Sequence, residues 1–511
     1  MLLSRLQRVI MVIPTCLLFL FAAACQPSAP KYPPIFTPQD CLMPISNGYE
    51  VRCGTVAVPE DRERSSGKEV ILAIAVVSAS GSAPTLPPAI FLDGGPGGPT
   101  LISLSERIQL FKNVIAERPV VFFDQRGVGM SQPALDCPEL SQAQQENIQQ
   151  VLPKMEENHK SAQALSACKQ RLEGSGASLA AYTTAASADD VRDIVNALGY
   201  PQVYLMGVSY GTRLAQVIIL RHQADGWIAG AILDSVVPLQ MEEVQEFWPN
   251  TQANFKQLFA RCAAEQACST RYPDLQSTFY ATVEQLEANP EDVSIFHPLT
   301  GKSMTVKLDG HDFVSVLFLL QYDPYQAAKI PQIIDKVNQG DTEILKEPLE
   351  FGVAALEVVY EGMSQSVNCT DEGMKLDLPA IHTAHAALDP VFQKLADGNA
   401  EQTEANCRAW GVKAARPAEN RALQTDLPVL ILSGSEDPIT PAAWGELLHA
   451  SLSNSYFYQF NGLSHGTIGA LGSAGTCVEK LVLAFLQDPT QEADASCVQL
   501  QKPIRFAVPA K

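Results

Sequence analysis

The pentapeptide Gly207-Val208-Ser209-Tyr210-Gly211 stands between a short apolar run, 203–206, and a helix-like segment, 212–221. A strand, a sharp turn and a helix in that order place a serine hydroxyl at the tip of the turn, as in a nucleophile elbow. A serine on so tight a turn has a strained backbone, and a Cβ at either glycine would crowd it. An ordinary turn is the alternative, but the flanking strand and helix signals favour the catalytic interpretation.

Short apolar runs alternate with helical patterns on both sides of this turn, which is typical of a parallel α/β sheet. The sequence predicts strands over 47–58, 69–79, 89–92, 120–123, 203–206, 230–234, 427–432 and 456–460. The stretch Ser187-Ala188-Asp189-Asp190 predicts the start of a helix over 191–198, which ends at Gly199. Because functional groups of such sheets lie at the carboxyl ends of strands, we expect the turns that follow these strands to share one edge.

Between residues 242 and 426 the pattern changes to long helical segments such as 247–264 and 276–288, with few strand signals. The strand pattern resumes after residue 427. A series of alternating strands and helices that is interrupted in this way predicts a core in two parts with an inserted helical cap. The predicted boundaries are 41–241 for the first part of the core, 242–426 for the cap and 427–511 for the second part.

The N-terminus has the three parts of an export signal. Arg5 and Arg8 come first, an apolar run over 9–21 follows, and Ala22-Ala23-Ala24 precedes Cys25. The apolar run is too short for a comfortable membrane span. We therefore expect the protein to be exported.

Small residues directly before a cysteine resemble a bacterial lipobox, in which Cys25 would be acylated after removal of residues 1–24. An ordinary cleaved signal with an incidental cysteine, and hence secretion, is the alternative. The proline-rich tract over 25–40 is expected to be a tether. This pattern predicts a protein of the bacterial periplasm or cell envelope that is attached to a membrane by a lipid.

The chain has 511 residues and a formal charge of −20. Such an acidic balance argues against nucleic acid and anionic membrane surfaces as partners. It fits a site that attracts cations such as peptide amino groups, although a solvated acidic surface accounts for most of these charges.

Ten cysteines remain when Cys16 and Cys25 are set aside, and an even number in an exported protein predicts disulfides. Pairing neighbours along the chain gives five bonds: Cys41–Cys53, Cys137–Cys168, Cys262–Cys268, Cys369–Cys407 and Cys477–Cys497. Metal binding is the alternative. The sequence has no C-x-x-C run and no histidine beside these cysteines, so we expect no metal site and no cofactor.

A serine nucleophile needs a base, and the base needs an orienting carboxylate. Asp437 directly follows the strand over 427–432, with Glu436 as the alternative acid. Of the eight histidines, only His465 follows a strand in a short glycine-containing loop. A lone histidine is more commonly a surface or core residue. Here the order Ser209, Asp437, His465 is the one expected on an α/β-hydrolase sheet.

An oxyanion hole needs backbone N–H groups that face the oxygen on which negative charge develops. Tyr210 supplies one, and the second is expected from Asp93-Gly94-Gly95-Pro96-Gly97-Gly98. Because Pro96 has no N–H, Gly95 is the first candidate and Gly94 the next. A plain tight turn is one alternative. A phosphate-binding loop is another, but this run lacks the Gly-Lys-Ser/Thr ending of a P-loop. Asp124-Gln125-Arg126-Gly127 is expected to support this edge through a pair between Asp124 and Arg126.

Three motifs together resemble the proline iminopeptidase and tripeptidyl aminopeptidase branch of the α/β-hydrolases: Gly94 to Gly98, Asp124 to Ser131 and Gly207 to Thr212. The paired cysteines, Cys407-Arg408-Ala409-Trp410 and the segment 433–440 are most similar to the secreted tripeptidyl aminopeptidase-like group. The resemblance covers about residues 40–500. Asp93 departs from it, because many relatives carry histidine there, and the hydrogen bonding of this loop is expected to differ.

The resemblance implies a mostly parallel sheet flanked by helices, a mostly helical cap, and serine aminopeptidase activity on peptides with a free amino terminus. In such enzymes carboxylates of the cap hold the substrate ammonium group. Asp371 and Glu372, beside Cys369, resemble that position, and Glu361 is a further candidate. An esterase or lipase with the same triad is the first alternative. A lipoprotein that binds peptides on an inactive hydrolase scaffold is the second.

Overall fold

The computed structural model describes residues 34–43, 48–64, 67–81 and 85–508. The predicted signal, Cys25 and most of the predicted tether lie outside these residues. The strands are β1 Phe36–Pro38, β2 Tyr49–Pro59, β3 Glu69–Ala79, β4 Ala89–Leu92, β5 Val120–Phe123, β6 Val203–Val208, β7 Ile228–Asp234, β8 Glu291–Phe296, β9 Ser303–Leu308, β10 Val429–Gly434 and β11 Ser455–Phe460.

The helices of the described residues are α1 Leu104–Leu110, α2 Lys112–Glu117, α3 Pro138–Asn147, α4 Lys154–Gly174, α5 Thr184–Leu198, α6 Tyr210–His222, α7 Glu243–Ala264, α8 Gln266–Arg271, α9 Leu275–Ala288, α10 Gly310–Leu320, α11 Pro324–Ala327, α12 Ile330–Asn338, α13 Lys346–Val358, α14 Glu361–Asp371, α15 Leu378–His385, α16 Pro390–Trp410, α17 Ala442–Ser451 and α18 Gly472–Gln487. Within this part of the chain, no helix combines the length and apolar composition that a membrane span requires.

A nine-stranded sheet has the order β1-β2-β3-β5-β4-β6-β7-β10-β11. The six strands β5, β4, β6, β7, β10 and β11 pair in parallel, in that order. Strands β1, β2 and β3 add an antiparallel edge. All four residues of β4 and of β5 are buried, because helices cover both faces of the sheet. The α/β-hydrolase fold expected from the resemblance is confirmed.

The carboxyl ends of the parallel strands lie side by side. Leu92 at the end of β4 pairs with Gly207, and Asp234 at the end of β7 pairs with both Val208 and Leu432. The turns that follow β4, β6, β7, β10 and β11 therefore meet along one edge, called here the carboxyl edge. This shared edge was the expectation drawn from the sequence.

Two elements of the core differ from the sequence prediction. Residues 36–38, which were assigned to the tether, form an edge strand that pairs with β2. Helix α5 begins at Thr184, about two turns before the predicted start. Its first turn is capped by Thr183, whose side chain accepts a hydrogen bond from the Ala186 N–H, so Ser187 lies inside the helix.

Helices α7 to α16 and the antiparallel hairpin β8–β9 occupy the chain between β7 and β10. Their own core contains stacked and tilted rings, among them Phe255, Phe279 and Phe392. The sequence prediction did not include this hairpin, in which buried residues of β8 alternate with exposed ones. The chain between β7 and β10 is nevertheless predominantly helical.

The last described residues, 503–508, pack against this cap core and are called here the C-terminal strap. Phe506 is buried in the cap core, and the Ala507 N–H donates to the Ala328 carbonyl over 2.9 Å. The Tyr272 hydroxyl donates to the Ala507 carbonyl. The sequence prediction placed this segment with the second part of the core. Pro503 does lie against Gly462 there, whereas residues 506–508 contact the cap.

All five predicted disulfides are present: Cys41–Cys53, Cys137–Cys168, Cys262–Cys268, Cys369–Cys407 and Cys477–Cys497. The bond between Cys369 and Cys407 joins α14 to α16 within the cap. It therefore fixes the end of α14, where Asp371 and Glu372 lie.

Candidate active site

Ser209 lies between β6 and α6 with a backbone φ of 55°, a left-handed conformation that is costly for a residue with a side chain. A Cβ at Gly207 would lie 2.4 Å from the Gly211 carbonyl oxygen, and one at Gly211 would lie 2.0 Å from that of Leu92. Both contacts are too short for any side chain. The predicted steric role of the two glycines is confirmed.

The end of β7 holds the elbow and the His465 loop together. The Ser209 N–H donates to the Asp234 carbonyl over 3.0 Å. On the other side, the Gly466 N–H donates to Ser235 Oγ over 2.8 Å, and the Thr467 N–H donates to Asp234 Oδ1 over 2.9 Å. Asp234 and Ser235 thus place Ser209 and His465 at neighbouring points of the carboxyl edge, a role that the sequence did not reveal.

His465 and Asp437 are hydrogen-bonded, with 2.9 Å between His465 Nδ1 and Asp437 Oδ2. The Thr440 hydroxyl donates to the same Asp437 oxygen over 2.7 Å, and its N–H donates to Asp437 Oδ1 over 2.9 Å. The alternative acid, Glu436, forms an ion pair with Arg261. Asp437 is therefore the carboxylate that orients His465, as the sequence indicated.

Electrostatics favour an ion pair here. Burial alone would lower the pKa of His465, but Asp437, assisted by Asp234 and Glu243, outweighs it and raises that pKa. Burial would raise the pKa of Asp437, but His465 and the hydrogen bonds from Thr440 lower it. The pair is thus suited to accept a proton on the imidazole and stabilise the resulting charge.

The Ser209 hydroxyl is partly exposed and forms no hydrogen bond with any described residue. Bonds between a nucleophile and its base are commonly long in ligand-free structures and shorten when substrate binds. Tyr322 packs edge-on against the His465 ring, with 5.1 Å between ring centroids. His465 therefore has a defined orientation from Asp437 on one side and from the cap on another.

The loop after β4 lies directly over Ser209, since a Cβ at Gly94 would be 3.6 Å from Ser209 Oγ. The Gly94 N–H is already bonded to Asp93 Oδ1 over 2.9 Å. Gly95 is exposed, and its N–H donates to no described residue. Tyr210 begins α6, where an N–H has no acceptor within the helix. Gly95 and Tyr210 thus offer two free donors beside Ser209.

Asp93 organises this loop. Its Oδ2 accepts from Arg107 over 2.7 Å and from the Thr100 hydroxyl over 3.1 Å. Together with its bond to Gly94, these contacts fix the turn.

The predicted pair between Asp124 and Arg126 does not form. Asp124 accepts backbone N–H groups of the neighbouring turns, and Arg126 makes a bidentate pair with Asp190 of α5, with both distances 2.7 Å. Both side chains are fully buried, and each is hydrogen-bonded to groups that the fold brings to it. These groups are backbone N–H groups for Asp124 and the Asp190 carboxylate for Arg126. Their role is structural.

A cavity of about 200 Å³ lies between Tyr210 and the cap, and carboxyl groups line it. Asp371 Oδ2 accepts from the Thr184 hydroxyl over 2.7 Å and from Arg213 Nε over 3.1 Å. The side chain of Glu372 accepts the Val244 N–H at the start of α7 over 3.2 Å. This cavity, which Arg213, Asp371 and Glu372 line, is called here the acid cavity.

Glu243, the first residue of α7, also lines the acid cavity and was not predicted. In the sequence, Glu243 is marked only by its position at the start of the first helix after the alternating pattern of strands and helices ends. The third predicted acid, Glu361, stands at the opposite end of α14, roughly 15 Å along the helix axis from Asp371. It does not line the cavity. The structure thus brings Asp371 and Glu372 together with Glu243, and leaves Glu361 apart.

One group of possible metal ligands occurs in the described residues, formed by Glu287, Asp309 and His311 in the cap. Glu287 is already paired with Lys394 over 2.8 Å and with His311 over 3.4 Å. Asp309 caps α10 through the Asp312 N–H. These side chains have partners within the protein and lie away from the carboxyl edge.

Comparisons with known proteins agree with this geometry. Residues 87–300 match the family model for the alpha/beta hydrolase fold, and residues 393–497 match that for TAP-like protein. Tripeptidyl aminopeptidase of Streptomyces lividans is 24% identical over 90% of this chain and 86% of its own length. Serine protease Hip1 of Mycobacterium tuberculosis is 23% identical over 85% of this chain and 84% of its own.

A further relative, carboxylesterase B of Mycobacterium tuberculosis, is 25% identical over 91% of this chain and 90% of its own length. The names of these relatives are those of two peptidases and an esterase, which are all classes of hydrolase. The sheet order, the serine elbow and the family matches therefore lead to one conclusion. The chain has the α/β-hydrolase fold, carries matches to the alpha/beta hydrolase and TAP-like family models, and is a serine hydrolase.

Proposed function

We propose that the protein is an exported serine aminopeptidase that removes residues or short peptides from free peptide N-termini. The observation that carries this proposal is the acid cavity beside Tyr210, the residue directly after Ser209. Carboxylates in a cavity next to a nucleophile suit the ammonium group of a peptide, because charge-assisted hydrogen bonds between the two are strong. The name of the Streptomyces relative points the same way.

In the proposed mechanism, Ser209 Oγ attacks the scissile carbonyl carbon while His465 accepts the hydroxyl proton. Asp437 holds the imidazole in position and stabilises its positive charge. The N–H groups of Gly95 and Tyr210 donate to the oxyanion. His465 then returns the proton to the leaving amine, and water releases the peptide from the acyl-enzyme by the same steps.

Glu243 and Glu372 are the proposed ligands of the substrate ammonium group. Asp371 is less suited to this task, because Arg213 and Thr184 already occupy its carboxylate. Asp371 instead positions its neighbour Glu372. The cavity thereby selects the free end of a peptide and disfavours an acylated one.

The decisive experiment compares peptide p-nitroanilides with free and acetylated amino termini, and p-nitrophenyl esters of fatty acids. We expect turnover of the free peptide amides to exceed that of the acetylated ones by 10-fold or more, an order of magnitude that follows from one charged hydrogen bond of about 1.5–3 kcal/mol. Ser209→Ala should lower kcat on the order of 10⁶-fold. Equal turnover of free and blocked peptides would reject the aminopeptidase, and preference for the esters would support the esterase alternative.

Glu243→Gln and Glu372→Gln test the amine site itself. Each should raise KM for free peptides by about 10- to 100-fold with a smaller change in kcat, because one charged bond to the ammonium group is lost. Glu242→Gln is the matched control, since Glu242 is exposed and lies outside the cavity. An effect of the control as large as that of Glu243→Gln would contradict the assignment.

Support for export comes from the N-terminal sequence and from the five disulfides, which form in oxidising compartments. Labelling of the full chain with an alkyne fatty acid in a bacterial host tests the lipid anchor at Cys25. We expect the label on the wild type and not on Cys25→Ser. An unlabelled wild type that is found in the medium would favour an ordinary cleaved signal.

A further inference from the structure

The charges of the acid cavity do not balance. Three carboxyl groups, those of Glu243, Asp371 and Glu372, share the cavity with one guanidinium, that of Arg213. Arg213 is paired with Asp371 over 3.1 Å. Glu372 receives the Val244 N–H, and no described residue donates a hydrogen bond to the carboxylate of Glu243. Two carboxyl groups are therefore left without a cation.

Glu372 is buried and Glu243 is half-buried, and both line the same small cavity. Two such carboxylates cannot both stay charged at low cost, because burial penalises the charge and the charges repel. Burial raises the pKa of Glu243, and the neighbouring Glu372 raises it further. Burial also raises the pKa of Glu372 in spite of Arg213. The groups that act on this pair are Arg213 and Tyr210 of α6, Asp371 of α14, Lys375 after it, Tyr322 after α10, and His465.

Three cationic groups lie near this pair, and within the described residues none of them forms an ion pair with Glu243 or Glu372. Arg213 is paired with Asp371, and the Lys375 ammonium group donates to the Asp371 carbonyl oxygen over 2.8 Å. His465 is held by Asp437. In the absence of substrate, a proton can supply the charge that no ion pair provides.

We propose that Glu243 and Glu372 share one proton in the free enzyme, and that the ammonium group of the substrate takes its place. The O–H bond of the carboxyl group breaks, the proton leaves to solvent, and the carboxylate that remains pairs with the ammonium group. This inference rests on the aminopeptidase function proposed above, because it places the peptide ammonium group in the acid cavity.

Proton exchange makes the affinity for peptide fall both at low pH and at high pH. Below the pKa of the pair, binding has to release a proton, so affinity falls by up to about tenfold for each unit of pH. Above about pH 8 the peptide amine itself loses its proton, and the cavity then faces a neutral group. Affinity is therefore highest in a narrow range near the pKa of the peptide amine.

Calorimetric titration counts these protons directly. Ser209→Ala is titrated at pH 6.5 with a free-amine tetrapeptide in phosphate, imidazole and Tris-type buffers, whose ionisation heats differ. The slope of the binding heat against ionisation heat gives the protons released. We expect a release approaching one proton per peptide, and an uptake of protons at pH 9, where the amine gains one on binding.

Two double variants complete the experiment. Ser209→Ala with Glu243→Gln should bind the peptide more weakly and release few protons at pH 6.5, whereas Ser209→Ala with Glu242→Gln should release as many as Ser209→Ala alone. Binding without proton release, or full release from the Glu243→Gln variant, would overturn the exchange and leave the aminopeptidase standing. Failure of the free peptide to bind, with turnover of blocked peptides, would instead reject the proposed function.

Discussion

Thr440 links the two ends of the Asp437–His465 pair. Its hydroxyl donates to Asp437 over 2.7 Å and lies 3.1 Å from His465 Nδ1. Thr440→Val keeps the shape and removes the hydroxyl, so Asp437 loses one hydrogen bond of about 1 kcal/mol. We expect kcat to fall by about fivefold with little change in KM. Steady-state kinetics of this variant and of Thr440→Ser, which retains the hydroxyl, check the prediction.

The pH dependence of kcat follows from the raised pKa of His465. Its protonated form cannot accept the Ser209 proton, so kcat falls as pH decreases through that raised pKa, above the usual value near 6.5. Asp437→Asn removes the carboxylate that opposes the effect of burial. We expect the acid limb of the kcat–pH profile to move to lower pH, with kcat reduced by about 10⁴-fold. An acid limb that stays in place would assign it to another group.

Helix α7 connects the acid cavity to the loop of Asp437. Its first residue is Glu243, and farther along it the side chains of Asn254 and Gln257 donate to the Glu436 and Ser435 carbonyls over 2.6 and 3.1 Å. These carbonyls belong to the loop that carries Asp437. One helix thus sets the position of a cap carboxylate and of the triad acid, and explains why the cap belongs to the site rather than merely covering it.

The disulfide between α14 and α16 should matter for binding more than for the chemical step. Replacing Cys369 and Cys407 together by serine frees the end of α14 where Asp371 and Glu372 lie. We expect KM for free peptides to rise more than kcat falls, and the free energy of unfolding to drop by about 2–4 kcal/mol. Kinetics and denaturant unfolding measure the two effects.

A matched control for this prediction is the loss of Cys41–Cys53, which joins the N-terminal segment to β2, a strand near one edge of the sheet and four positions from β6 in the strand order. Its removal should lower stability and leave KM unchanged. If both double variants raise KM equally, the effect belongs to general destabilisation and not to the amine site.

The C-terminal strap fastens the end of the chain to the cap. Phe506 is buried in the cap core, and the Arg261 guanidinium of α7 lies 4.2 Å from its ring centroid. Phe506→Ala should lower the free energy of unfolding by about 3–5 kcal/mol, because it leaves a cavity where the ring was. Thermal and denaturant unfolding measure this loss. Arg505→Ala, at an exposed neighbour, should leave stability within about 0.5 kcal/mol of the wild type.

The positions of Ser209, Asp437, His465, Gly95 and Tyr210 at the carboxyl edge could be predicted from the sequence because each follows the end of an apolar strand. In a parallel sheet that local pattern already determines which edge a residue occupies. The cysteine pairs could also be predicted from the sequence, since each bond joins two cysteines that are neighbours in the order of cysteines along the chain. The pairing of Asp124 with Arg126 was predicted wrongly, because a buried arginine takes whichever carboxylate the fold brings to it, here Asp190 from a distant helix.

The sequence by itself determined the sheet, the elbow and the order of the triad, because these depend on periodicity, on glycines that only a tight turn requires, and on strand ends. The family resemblance pointed to Asp371 and Glu372, but only the tertiary structure showed that Glu243, another of the 56 acidic residues, shares the acid cavity with them. Glu243 and Glu372 lie 129 positions apart, and no local pattern distinguishes Glu243 from its solvated neighbours. Their meeting depends on how the cap packs over α6, and that packing gives this serine hydrolase its acid cavity.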